Sequence, residues 1–363
     1  MDYDLNALTD APVADWGRGT PYDHWRERQK IPVHRAFYID DLRTLATEVW
    51  DQLGTRAAFV ELDGAGDNTA AYVINLDQDE TTQWRRHTWE EIVYVAAGRG
   101  VSEVQSGRGV SVARWGPGAV FPLPLNQRYR HTAVEAGTVL YCVNNAPPIM
   151  NLFHHDGFLF DNPFEFDDRF DQSESYYSGD GRFWRHGATG SVIWETNFVE
   201  DAVNIALPDL ARRGAKGRNV MFQFSGHTLR PHISEFPVGT YKKAHRHGPG
   251  AQIVLLAGVG YSLLWRDNFA ERVKVDWKPN SVFVPPNLWW HQHFNSGTEP
   301  ARYLAIHMGG KKFRFDHSYE RDGEDRRSGG DQIEYDDQDL RVHDLFASEC
   351  AAHGVQIDES AVR

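Results

Sequence analysis

Two histidines separated by one residue, His245 and His247, stand at the start of an apolar run that ends at Gly258. Successive residues of a β-strand point to opposite faces, so these two imidazoles are expected to project to the same side. A third candidate, His291, follows a Pro-Pro turn in VPPNLWWHQHFNSG. Three imidazoles that converge in this way would suit a divalent transition metal. The alternative is that they are ordinary polar strand residues, since the chain has 17 histidines.

The pattern occurs twice in the chain. An offset of 160 residues places His87 on His247, Glu91 on Ala251 and His131 on His291. The second copy therefore offers three histidines, and the first offers two histidines and a carboxylate. A repeat of about 100 residues built from short strands predicts two similar β-barrels rather than a solenoid.

The fold class predicted from the strand pattern is all-β. Short β-rich runs separated by Gly, Pro and Asn occur from 57 to 145 and again from 219 to 307. We divide the chain into five segments: an arm with a short helix (1–56), a first module (57–145), an aromatic and acidic inter-domain segment (146–215), a second module (216–310) and a charged tail (311–363).

The segments outside the barrels carry three further expectations. Apolar residues at helical spacing predict a helix over 41–53, and a second helix is predicted over 339–354 in an otherwise peripheral tail. The aromatic residues of 146–215 are expected to cover a surface rather than form a sheet. The arm is expected to be ordered and to pack on another part of the assembly, with a neighbouring subunit as one candidate, and a homo-oligomer is expected.

Composition narrows the class of protein. The net charge of −13 argues against non-specific nucleic-acid binding. No apolar run approaches the length of a membrane span, and the first residues lack the features of a secretory signal. With only two cysteines, Cys142 and Cys350, a reducing cytoplasm is the expected location.

Two sequence motifs in the second module resemble those of the cupin superfamily. Gly239, His245, His247 and Gly258 have the spacing of the first cupin motif, and Pro286, His291 and Asn295 that of the second, with Leu288 where the family usually has Gly. The duplication makes the chain similar to a bicupin. The resemblance implies two double-stranded β-helix barrels, with a divalent metal bound inside.

The ligand set departs from the usual cupin pattern. The family's metal-binding Glu position is held by Ala251, and Gln252 would reach it only if the loop shifts by one residue. The expected ligands are therefore His245, His247 and His291. Three neutral imidazoles leave the ion's charge uncompensated, so the open face could accept an anionic chelating substrate together with O₂.

A narrower resemblance concerns ring-cleaving enzymes. The run AHRH, followed by PPNLWWHQHFN, is similar to gentisate dioxygenase and its salicylate- and hydroxynaphthoate-cleaving relatives, although Gln292 and Phe294 depart from their motif. The resemblance implies a mononuclear Fe(II) dioxygenase acting on a hydroxylated aromatic acid. The ligand types alone leave Mn, Zn or Ni open as other metals. His293, two residues beyond His291, is our candidate acid–base residue. The alternatives are a non-oxidative metalloenzyme (isomerase, lyase or decarboxylase) and a non-catalytic binding protein.

The first module lacks the first histidine of its motif, because Arg85 stands there. A permanently charged guanidinium is a poor neighbour for a metal ion. His87, Glu91 and His131 could still form a two-His, one-carboxylate set. The other interpretation is a degenerate structural barrel in which Arg85 pairs with Glu91.

Overall fold

The structure is a computed structural model that describes residues 17–187, 190–248, 250–310, 312–315, 317, 321 and 323–362. Its helices are α1 Pro21–Arg28, α2 Ala146–Phe153, α3 Asp156–Phe160 and α4 Leu340–Ala352. The strands of the first half are β1 Val33–Ala36, β2 Tyr38–Ile39, β3 Glu48–Trp50, β4 Thr55–Leu62, β5 Ala70–Leu76, β6 Glu91–Ala97, β7 Gly100–Ser106, β8 Gly109–Trp115, β9 Val120–Leu123, β10 Arg128–Ala133 and β11 Thr138–Asn144. Those of the second half are β12 Gly181–Arg185, β13 Val192–Thr196, β14 Arg218–Gln223, β15 Leu229–Phe236, β16 Thr240–Tyr241, β17 Ala244–His245, β18 Gln252–Ala257, β19 Gly260–Trp265, β20 Val273–Trp277, β21 Val282–Phe283, β22 Trp290–Asn295, β23 Ala301–Met308 and β24 Gln332–Ile333.

In the described part of the chain these strands form four sheets, two for each barrel. The first barrel has a sheet of order β1-β4-β5-β11-β6-β9, with β3 on β4, and a sheet of order β10-β7-β8. The second has a sheet of order β12-β13-β14-β15-β23-β18-β21-β2 and one of order β20-β19-β22-β17-β24, with β16 on β22. The predicted all-β pair of barrels is therefore confirmed.

Alternation of side chains along the strands separates the barrel interior from the interface between the barrels. On β23, Leu304 and Ile306 join an apolar cluster shared by both barrels, whereas Tyr303 and Ala305 pack inside the second barrel. The large sheets of the two barrels thus pack face to face, and their other faces line the two interiors.

The arm differs from its prediction. Residues 41–53 contain a 3₁₀ turn, Leu42–Thr44, and the strand β3 instead of a helix. Val49, which lies on the proposed apolar stripe, is 63% exposed. Pairing of β3 with β4 satisfies the backbone there, so tertiary contacts override the helical spacing.

The helix of the arm lies earlier, at α1, where Thr20 caps the N-terminus and Pro21 occupies the first turn. Its Tyr22 and Trp25 are buried in the interior of the first barrel of the same chain. The arm therefore packs on the first barrel of its own chain at these two residues, and Trp16 lies outside the described residues. The homo-oligomer stays a prediction.

Two other segments take more part in the fold than expected. Strands β12 and β13 of the inter-domain segment extend the large sheet of the second barrel, with β13 parallel to β14. The tail is not peripheral either, because β24 pairs with β17 and α4 buries Val342, Phe346 and Cys350. The C-terminal helix itself is confirmed. No helix among the described residues is long and apolar enough to span a membrane.

Candidate metal centre

Adjacent strands of the second barrel bring His245, His247 and His291 together. β17 pairs with β22 so that His245 lies directly opposite His291, and their ring centroids are 4.3 Å apart. The His247 ring lies 4.8 Å from that of His291. One ligand nitrogen from each residue can be chosen so that all three lie within 4.8 Å of one another. This cluster has the ligand types and the proximity that a divalent metal ion requires.

Backbone carbonyls set the orientation of two of the rings. Nδ1 of His245 bonds to the carbonyl of Lys243 at 2.9 Å, and Nδ1 of His291 bonds to that of Trp289 at 3.0 Å. A ring that donates from Nδ1 presents an unprotonated Nε2. Nε2 of His291 is buried and has no hydrogen-bond partner. An orphaned imidazole nitrogen beside two others fits a metal ligand better than a structural residue.

Burial keeps these imidazoles neutral. It is the main cause of the lowered pKa of His245 and His291, with further contributions from the neighbouring histidines and, for both, from Arg213. A neutral imidazole is the form that binds a metal. The surroundings therefore prepare both rings for coordination.

The departure of Leu288 from the motif does not disturb the turn that precedes His291. Leu288 has φ +60°, a left-handed conformation that Gly adopts more readily. Its N–H donates to the carbonyl of His247 at 3.2 Å. This turn therefore joins the two motifs directly.

Gln252 does not join the cluster, which corrects that expectation. The side-chain oxygen of Gln252 accepts from the Tyr141 hydroxyl at 2.8 Å, and its side-chain NH₂ donates to the Thr69 hydroxyl at 3.2 Å. Gln252 therefore bonds to the first barrel. Ala251 and Ile253 line the cavity instead. A shift of one residue along a strand turns the side chain to the opposite face, so Gln252 cannot replace Ala251 without turning the rest of β18.

His293 faces the cavity that His245, His247 and His291 line, as strand parity predicts. Its Nδ1 lies 2.8 Å from the hydroxyl oxygen of Ser262, which accepts from Nε1 of Trp277 at 3.0 Å. The Ser262 proton is then available to His293 Nδ1, which leaves the ring proton on Nε2. Burial lowers the pKa of His293, with Lys242 the next cause. The His293 ring is 5.6 Å from that of His291 and 5.2 Å from that of Tyr303.

The cavity in front of the three histidines encloses about 60 Å³. That is room for a few water molecules or a small ligand. Among the described residues, the charged side chains that line it are all basic: Arg212, Arg213, Arg218, Arg230 and Lys242. This concentration of positive charge, in a chain of net charge −13, favours an anion in the cavity.

Sequence reasoning missed several of the lining residues. Lys243 has the strand parity of His245, yet it forms an ion pair with Glu334, while Lys242 lies in the cavity. The cause is the interruption between β16 and β17, which breaks the alternation. The β15–β23 pairing supplies the opposite wall, with the register Arg230↔His307, His232↔Ala305 and Ser234↔Tyr303. Alternating polar residues on 230–234 were a usable signal for these positions.

The first barrel shows that the offset of 160 fails for the second motif. His131 lies opposite Ser102 and bonds to it at 2.7 Å, and Trp115 donates to the same hydroxyl at 2.8 Å. This arrangement matches that of His293, Ser262 and Trp277. His131 is therefore the counterpart of His293, and Tyr129 is the counterpart of His291. The connection between Ser262 and Trp277 is two residues longer than that between Ser102 and Trp115, so the offset rises from 160 to 162 before the second motif.

A hydrogen-bonded network fills the first-barrel position that corresponds to the metal centre. The Tyr129 hydroxyl lies 2.8 Å from Nε2 of His87, and Tyr72 donates to Glu91 at 2.6 Å. Arg85 reaches Glu91 through the Tyr72 hydroxyl, at 3.2 Å, rather than by the direct pairing we expected. Nδ1 of His87 bonds to a backbone carbonyl.

The part of the chain that the structure describes has no first-barrel cluster equivalent to His245, His247 and His291. Among the described residues, His87, Glu91 and His131 do not form a group able to hold an ion. Burial raises the pKa of Glu91, and the charge of Arg85 opposes that shift. A guanidinium thus lies where the second barrel gathers its histidines, and the expected two-His, one-carboxylate set is not assembled.

Comparisons with known proteins identify the fold. No family model matches the sequence, and no curated protein matches it. Solved structures of oxalate decarboxylase do match: one has a TM-score of 0.50 and 14% identity, covering 75% of this chain and 77% of the other. A single-residue variant of the Bacillus subtilis enzyme has a TM-score of 0.50 and 14% identity, covering 76% and 77%.

The fold and the cluster together define a class. The chain has a bicupin fold, and its second barrel carries a three-histidine site that fits a metal ion. At 14% identity the comparison concerns the fold alone. The resemblance to gentisate dioxygenase finds no support in these comparisons.

Proposed function

We propose that this protein is a metalloenzyme that binds one divalent ion through His245, His247 and His291 and acts on a small organic anion. The observation that carries the proposal is the position of the three histidines, which converge on a buried cavity whose charged lining residues are all basic. A carboxylate ligand from the protein would offset the charge of the ion. Because Ala251 stands where such a carboxylate would be, the substrate would have to offset that charge.

The side chains of this chain would bind and orient the anion. Bound at the three histidines, the ion would supply Lewis acidity and, as Fe(II), redox chemistry with O₂. The Ser262 hydroxyl bonds to Nδ1 of His293, so the ring carries its proton on Nε2. From Nε2 the ring would donate to an oxygen of the substrate. The basic side chains would draw the anion in from solvent.

Dioxygenation of a hydroxylated aromatic acid or a similar chelating anion by Fe(II) is the reaction that we propose first. The all-imidazole ligand set and the run AHRH support it. Decarboxylation is the second candidate, because the shared fold belongs to an oxalate decarboxylase and protic residues such as His293 and Lys242 line the cavity. Mn, Zn or Ni would serve in place of iron for such chemistry.

Metal content is the first test. The protein is purified anaerobically, loaded separately with Fe(II), Mn(II), Zn(II) and Ni(II), desalted and analysed for metal per chain. Retention of about one ion supports the proposal, and absence of any retained ion overturns it in favour of a binding protein.

The reaction class requires a second measurement. Oxygen uptake and carbon dioxide release are followed with hydroxylated aromatic acids and with small dicarboxylates, in air and under anaerobic conditions. Oxygen uptake with the Fe(II) form supports dioxygenation. Carbon dioxide release that is unchanged without O₂ contradicts it and supports the decarboxylase alternative.

A further inference from the structure

The wall opposite the histidines differs in chemistry between the two barrels. In the second barrel, the paired strands β15 and β23 present Arg230, His232, Ser234, Tyr303 and His307 to the cavity. The equivalent strands of the first barrel, β5 and β11, place Ala70, Tyr72, Ile74, Leu140, Cys142 and Asn144 at the matching register positions. Ile74 and Leu140 take the places of Ser234 and Tyr303. The polar pair at that end is therefore not demanded by the barrel fold.

Lys242 completes this polar end of the cavity. Its side chain is only 3% exposed, and Nζ donates to the Tyr303 hydroxyl at 3.0 Å and to the Ser234 hydroxyl. Among the described residues, no carboxylate lies within ion-pair distance of it. Burial lowers the pKa of Lys242, the Tyr303 hydroxyl opposes that shift, and the charge of Arg213 adds to it. A buried ammonium with two hydroxyl partners and no counter-charge is expensive to maintain.

We propose that Lys242 and Tyr303 form a carboxylate-binding subsite, and that a carboxylate group of the substrate supplies the missing counter-charge. The subsite adjoins the metal centre, because Tyr303 packs against His293 at 5.2 Å between ring centroids. The inference deepens the proposed function: it rests on an anionic substrate and makes that anion a carboxylate with a second group directed toward the three histidines.

The hydroxyl of Tyr303 strengthens this assignment. Its oxygen accepts from Lys242, so its own proton must point elsewhere. A carboxylate placed beside Lys242 would receive one charge-assisted bond from the ammonium and a second from the phenol. Ser234 donates toward the carbonyl of Arg218, at 3.4 Å, and acts to hold the lysine.

The test uses metal-free protein, with malonate as the probe and its neutral analogue malonamide as the matched control, in titration calorimetry. We expect malonate to bind, Lys242→Met to weaken it about 10- to 100-fold and Tyr303→Phe to weaken it by a smaller factor. Malonamide should not bind measurably. The control variant Lys243→Met removes the same charge from the neighbouring residue, which is paired with Glu334, and should leave the affinity within about two-fold.

Thermal unfolding separates binding from a structural role. Without ligand, Lys242→Met should unfold at a higher temperature than the wild type, because a buried charge without a counter-ion is removed. A merely structural lysine would give the opposite shift. Unchanged malonate affinity in both the Lys242 and the Tyr303 variants, or no malonate binding by the wild type, overturns the inference.

The outcomes for the two proposals are distinguishable. A protein that retains metal but binds malonate independently of Lys242 refutes the carboxylate subsite alone. A protein that binds malonate through Lys242 but retains no metal refutes the proposed metalloenzyme and leaves the subsite intact.

Discussion

Tyr129 of the first barrel occupies the position that His291 occupies in the second. Both follow the same turn and lie two residues before a histidine, His131 or His293, that bonds to a strand serine. Tyr129 bonds to His87, whereas His291 presents a buried Nε2 without a partner. The first barrel thus bonds its histidine to a hydroxyl of its own, and the second leaves Nε2 of His291 without a hydrogen-bond partner.

This equivalence predicts that a second metal site can be restored in the first barrel. Arg85→His combined with Tyr129→His would place imidazoles at the positions of His245 and His291, beside His87 and Glu91. We expect metal content to rise from about one to about two ions per chain, because three imidazoles and a carboxylate form a complete ligand set.

Elemental analysis of the loaded and desalted protein checks this prediction. The single substitution Tyr129→His is the control and should leave the content near one ion, because the Arg85 guanidinium stays beside the site. A folded double variant whose metal content stays at the wild-type value would contradict the positional equivalence.

His247→Ala should abolish metal retention and leave the fold intact. It removes one of three ligands, and its partly exposed position means that no large cavity is opened. Metal analysis and thermal unfolding are measured together. His353→Ala, at an exposed histidine after α4, is the matched control and should retain metal. Full retention by the His247 variant would show that the ion lies elsewhere.

Ser262→Ala should lower stability by about 1–3 kcal/mol, because Trp277 and His293 would each lose a buried hydrogen-bond partner. Urea denaturation measures the loss. The duplicate network supplies the control: Ser102→Ala removes the hydrogen-bond partner of Trp115 and His131 in the same way and should lower the free energy of unfolding by a similar amount. Once the activity has been identified, only the Ser262 variant should alter its pH profile, and equal effects of both would contradict an orienting role for Ser262.

Stability of the metal-free protein should fall as the pH is lowered from about 6.5 toward 3. Burial, followed by the charge of Arg85, lowers the pKa of His131 to about 3, while an unfolded histidine titrates near ~6.5. Between these values the unfolded chain binds a proton that the folded chain does not, so acid favours unfolding.

Each such histidine adds up to about 1.4 kcal/mol per pH unit to this dependence. Urea denaturation at several pH values measures it. His131→Asn should reduce the slope by one such contribution, whereas His353→Asn, at an exposed site, should not. An unchanged slope in the His131 variant would mean that this ring is protonated in the folded protein.

The all-β class, the duplication and the convergence of three histidines in the second barrel could be predicted from the sequence. These features depend on local patterns: alternation along a strand, glycines at turns, and a His-x-His pair whose side chains must share a face. His293 was found in the same way, because it keeps parity with His291 within one uninterrupted strand.

The other features of the site could not be predicted, since they depend on contacts between residues far apart in the chain. Lys242 rather than Lys243 lies in the cavity because the strand is interrupted between β16 and β17. Gln252 faces the other barrel because β18 is packed between a barrel interior and an interface. The pairing of β10 with β7, rather than the sequence offset, places Tyr129 at the position that corresponds to His291. Register is fixed by which strands meet in space, and a count along the sequence cannot supply it.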